Sequence, residues 1–127
     1  MKRYSSTFIA LALCLFAVSC GSKKIKRGDR FEVLTEMREE ATMRWDQPYT
    51  NSFNCIIPQG TVLEVTMAPP AGAEFLEVEV VSVNGNSNKE FIEEKIVPDH
   101  IRHRKGYEGF YLSIPRKYVG EKIQKVE

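Results

Sequence analysis

Residues 74–83, Glu-Phe-Leu-Glu-Val-Glu-Val-Val-Ser-Val, alternate with a period of two and run into Asn84-Gly85-Asn86. An amphipathic helix would instead repeat its apolar positions about every 3.6 residues, so this stretch predicts a half-buried β-strand. The alternation assigns Leu76, Val78, Val80 and Ser82 to the core and Phe75, Glu77, Glu79 and Val81 to the other face. Asn and Gly tolerate positive φ, so 84–86 reads as a tight turn. On the other side, Pro69-Pro70-Ala71-Gly72 separates this strand from Thr61–Met67, a second alternating run. Two strands joined by a Pro/Gly loop are a hairpin, and a hairpin commits the chain to burying a sheet face.

Three further runs have strand character: Phe31–Met37, with Phe31, Val33 and Met37 on one face; Gly109–Ile114; and Glu121–Val126. Two stretches are ambiguous. Thr35–Trp45 reads as a helix or as part of a long excursion, because Met37, Ala41 and Trp45 recur every fourth residue. Glu90–Ile96 reads as strand or helical turn. With about five strands and few helical patterns, the expected class is all-β, a small barrel. Its core is expected to include Leu63, Val65, Leu76, Val78, Val80, Tyr118 and Ile123.

The first twenty residues read as an export signal. Lys2 and Arg3 precede the apolar run Phe8–Val18, which is too short to span a bilayer comfortably. Ala17-Val18-Ser19-Cys20 follows, then Gly21 and Ser22. This order of charge, apolar run and terminal cysteine resembles a bacterial lipoprotein signal. The resemblance implies cleavage before Cys20 and a lipid-bearing Cys20. Each buried methylene stabilises by about 0.8 kcal/mol, so two or three acyl chains hold far better than one. Gly21 in place of an aspartate after the cysteine resembles the pattern sorted to an outer membrane, with the domain facing the periplasm.

Removing residues 1–19 also removes Lys2, Arg3 and Cys14 and no acid, leaving 16 basic residues against 17 acidic. That balance argues against a nucleic-acid binder. Cys55 is then the sole thiol, so no internal disulfide forms, and its neighbours Ile56 and Ile57 predict a buried side chain. Residues 20–28 read as the lipidated cysteine and a basic tether, and 29–127 as the domain.

Within that domain, Gly109-Phe110-Tyr111-Leu112-Ser113-Ile114-Pro115-Arg116-Lys117-Tyr118-Val119 resembles the end of a Src-homology-3 (SH3) domain, a Gly-aromatic strand entering Pro-x-x-Tyr-Val. Pro58-Gln59-Gly60-Thr61-Val62-Leu63-Glu64-Val65 is similar to that family's entry into its second strand. The resemblance implies a five-stranded barrel, with a long first loop over 38–57 and an insertion near 88–108. It also implies an aromatic groove for an extended peptide, lined by Tyr49, Pro115 and Tyr118 with Trp45 at its rim. The tryptophan that opens the family's third strand is absent, which predicts weaker binding or a different choice of ligand.

Catalytic motifs are missing. His100 and His103 with Asp99 sit beside Arg102, Arg104 and Lys105, an electropositive setting that suits a solvated loop better than zinc. Cys55 with either histidine would be the only route to a cell-wall hydrolase, and no third orienting residue stands out. Adjacent acids such as Glu39-Glu40 read as surface charge. The expectation is a non-enzymatic, cofactor-free envelope lipoprotein that engages a partner protein or cell-wall peptide. The alternative is a structural subunit of an envelope assembly.

Overall fold

The structure, a computed structural model, describes residues 24–46 and 51–126. The chain is mostly β. Strands β1 (Arg30–Val33), β2 (Met37–Trp45), β3 (Ser52–Ile57), β4 (Thr61–Val65), β5 (Phe75–Val83), β6 (Tyr107–Pro115) and β7 (Ile123–Val126) form one antiparallel sheet. Their order is β3-β2-β6-β5-β4-β1-β7. Helices α1 (Lys89–Ile96) and α2 (Asp99–Arg102) lie between β5 and β6, and a 3₁₀ turn (Arg116–Tyr118) follows β6.

The all-β expectation holds, but the closed five-stranded barrel does not form. The described sheet has seven strands and is open, with β3 and β7 as its two ends. The extra strands come from 38–57, expected as a loop. Met37, Ala41 and Trp45 are four apart, which suits a helix face and equally one face of a strand. Met43 breaks the tie, because it joins that face only at period two. Accordingly Met37, Ala41 and Met43 are buried, and so are Phe53, Cys55 and Ile57 on the paired strand β3. Phe31 and Val33 are buried as expected, but the chain leaves the strand at Leu34, so Phe31–Met37 supplies parts of two strands.

One correction concerns phase. Leu76 and Val78 are buried, Val80 is only partly so, and Val83 rather than Ser82 returns to the core. The cause is a β-bulge: Val62 faces Ser82 while Leu63 faces Val80, so Val81 is the extra residue. An unpaired residue shifts the side-chain phase of everything beyond it. Tyr118, expected in the core, packs against it while partly exposed.

The insertion near 88–108 is where the helices form. Asn88 caps α1, its Oδ1 accepting from the Phe91 N–H at 3.0 Å. Ile92 and Ile96, four apart, turn one face of α1 into the core, and Val97 and Ile101 extend that contact. The Tyr107 hydroxyl donates to Glu93 Oε2 at 3.1 Å, tying α1 to β6. Ile25 packs against the core and the Gly28 N–H donates to the Val65 carbonyl at 2.8 Å, so the fold takes in residues ahead of 29. Among the described residues no helix is long and apolar enough to cross a membrane.

Candidate partner-binding edge

Strand β3 ends the sheet, and its register decides which main-chain groups are free. The Met43 N–H donates to the Asn51 carbonyl, and the same register pairs Ala41 with Phe53, Glu39 with Cys55 and Met37 with Ile57. In an antiparallel ladder, hydrogen-bonded residues alternate with residues whose N–H and C=O point the other way. Ser52, Asn54 and Ile56 therefore direct their main-chain groups away from β2, and all three are exposed. An open cavity of about 500 Å³ adjoins this edge, lined by Arg38, Glu39, Glu40, Asn54, Cys55 and Ile56.

Behind it lies a polar cluster that sequence reasoning missed. Glu39 shares the inward phase of Met37, Ala41 and Met43, so it is partly buried rather than a surface charge. Burial raises its carboxyl above the ordinary range, and the Lys122 charge and a hydrogen bond from Tyr118 oppose that rise. The Lys122 ammonium also sits 4.4 Å from the centre of the Tyr118 ring. Glu39 on β2 is thus tied by side chains to the turn that leads into β7. Cys55 is buried, as expected, and its thiol is pushed up to about 12, first by burial and then by the Glu39 charge. A thiol held protonated is a poor nucleophile. The signal for Glu39 is an acid in phase with three apolar residues, and it becomes legible only once the strand is known.

A raised carboxyl means that the folded state holds its proton more tightly than the unfolded chain. Its contribution is full below the unfolded pKa and is lost as pH rises through the raised folded value. The domain should lose stability over the interval just above the ordinary glutamate pKa. Glu39→Gln should flatten that part of the profile while still accepting from Tyr118. Urea midpoints across a pH series check this, and an unchanged slope in the variant would assign the dependence to other groups.

The expected groove residues separate. Trp45 pairs with Tyr107 at the start of β6, whereas Pro115 ends the same strand opposite Phe75. Eight strand steps at about 3.3 Å put these positions roughly 26 Å apart, so Trp45 is not a rim above Pro115 and Tyr118. Trp45 instead receives the Arg104 guanidinium at 4.9 Å from its ring centre. Pro115 and Tyr118 do stay close, joined by the 3₁₀ turn. Tyr49 and Cys20 lie outside the described residues. Phe53 and Phe110 are core, meeting edge to face at 5.9 Å between ring centres. Tyr111 turns outward under Arg44, which pairs with Glu79. His100 and His103 are exposed, and Asp99 pairs with Arg102. Among the described residues, no group of three or more His, Cys, Asp or Glu is placed to hold a metal.

No family model, no curated protein and no solved structure matches this chain.

Proposed function

We propose that this chain is a lipid-anchored envelope lipoprotein whose domain is a non-catalytic module that binds an extended segment of a partner protein. The anchor rests on the signal and Cys20. The binding role rests on one observation, the outward main-chain groups of Ser52, Asn54 and Ile56 on the terminal strand beside a cavity. Such an edge takes an added strand: main-chain hydrogen bonds supply affinity and neighbouring side-chain pockets supply choice. Arg38, Glu39 and Glu40 bring both signs of charge to the cavity, which suits a peptide with polar side chains more than an apolar ligand.

Asn54→Pro separates this reading from a structural one. The Asn54 N–H faces away from β2, so proline there removes no bond within the sheet but deletes one from the edge. The expected result is a folded domain with its partner lost from crosslinked pull-downs out of intact cells. Unchanged recovery of the same partner with Asn54→Pro would move binding off this edge. Recovery of cell-wall fragments in place of protein would change the ligand class.

A further inference from the structure

The loop between β4 and β5 is unusual for an exposed connection. Residues 66–73, Thr-Met-Ala-Pro-Pro-Ala-Gly-Ala, hold no charged side chain. Met67, Ala68, Pro70 and Ala71 are exposed, and Phe75 just beyond is exposed as well. Met67 is 55% and Phe75 54% exposed, the two most exposed large apolar side chains among the described residues. Folding leaves this apolar group uncovered, although a hairpin loop in water is usually polar.

The tether arrives at the same end. Gly28 bonds to Val65, two residues before Met67. Lys24, Lys26 and Arg27 are exposed there, and the Arg116 N–H donates to the Glu74 carbonyl at 2.8 Å, bringing another cation to the loop. Of the nearby acids, Asp29 accepts from the Lys26 N–H and faces Lys125, Glu64 pairs with Arg30, and Glu74 is exposed beside Phe75, offset by the adjacent Arg116. From Cys20 to Lys24 is four chain steps, a reach of at most about 14 Å. The far end of β5, at Val83, lies roughly 26 Å along the strand from Phe75.

We propose that this end of the domain, the 66–73 loop with Met67 and Phe75, is a membrane-contact surface resting in the headgroup layer of an anionic bilayer. The inference rests on the lipid anchor at Cys20. The short tether holds the loop near the surface, Met67, Pro70 and Phe75 enter the interface, and the basic side chains meet the headgroup charge.

The test uses the full lipidated chain in vesicles of phosphatidylethanolamine and phosphatidylglycerol. A polarity-sensitive fluorophore is placed through Ala71→Cys at the loop, or through Ser87→Cys beyond the far end of β5. The expected result is a blue shift and quenching by lipid-borne quenchers at position 71, with position 87 reading as in water. Adding Met67→Asp and Phe75→Asp should return the position-71 signal to its water value with Cys20 still lipidated and the circular dichroism unchanged. A lipidated, vesicle-bound protein whose two probes both read water overturns the contact surface and leaves the anchor standing. Position-71 shielding that appears in whole envelopes but not in pure lipid also overturns it, in favour of a protein partner. A chain without lipid on Cys20 overturns the anchor and this inference together, and mass spectrometry of the mature N-terminus separates that failure from the others.

Discussion

Replacing Cys20 with alanine is expected to abolish lipid labelling and to release the domain from the membrane fraction. The effect should be close to complete, because alanine offers no nucleophile for a lipid to be attached to, and Cys55 is buried. The loop at 66–73 and the basic residues beside it cannot compensate, since surface contact of that kind is weak and reversible without acyl chains. Metabolic labelling with a radioactive fatty acid, together with fractionation, reads both outcomes. Equal labelling and membrane retention in Cys20→Ala would refute the anchor. Labelling lost while retention persists would mean that another segment holds the chain.

Leu112→Ala should be among the most damaging truncations within the domain. Leu112 is 0% exposed and stands in the middle of the sheet, opposite Val78 on β5 and Ala41 on β2. Truncating a buried leucine removes its transfer energy and leaves a cavity, at a cost of about 2–5 kcal/mol. A domain of this size has only about 5–15 kcal/mol of stability in total, so the variant should be near its folding limit. The urea midpoint should fall steeply with little change in slope. A loss under about 1 kcal/mol would mean that the site collapses onto the gap, or that the sheet is not packed around Leu112. Truncating Leu34, exposed at 39%, is the matched control and should cost little.

Much of the sheet is legible in the alternation of the chain. The hairpin of Thr61–Met67 with 74–83 appears as β4 and β5, and Leu63, Val65, Leu76, Val78 and Ile123 are all buried. These positions are readable because an alternating strand carries its own instruction: each residue's side is set by its neighbours in sequence. Cys55 is buried as its apolar neighbours suggest, but it is the alternation of β3 that buries it with Phe53 and Ile57 while leaving Ile56 exposed. The helix at Lys89–Ile96 is half readable. Its cap at Asn88 and its Ile92–Ile96 spacing are present in the sequence, but a run this short does not separate helix from strand by periodicity.

The candidate site is legible only in part. Glu39 reads as surface charge because its phase depends on β2 being a strand, and the Met37–Ala41–Trp45 spacing fits helix and strand alike. The separation of Trp45 from Pro115 is hidden for a related reason. Aromatics that flank a loop look like neighbours along the chain, whereas a nine-residue strand holds its ends apart.

By itself, then, the sequence determined the β class, the strong hairpin and most of the inward-facing residues, because those follow from local periodicity. It also supplied the whole case for lipidation at Cys20. Tertiary structure alone decided that the sheet of the described residues has seven strands and stays open, that Val83 replaces Ser82 in the core, and that Ser52, Asn54 and Ile56 turn their main-chain groups outward on its terminal strand. Strand pairing decides all three, and pairing is a choice of partner and register between distant segments, settled by which arrangement buries the most apolar surface while satisfying the main chain.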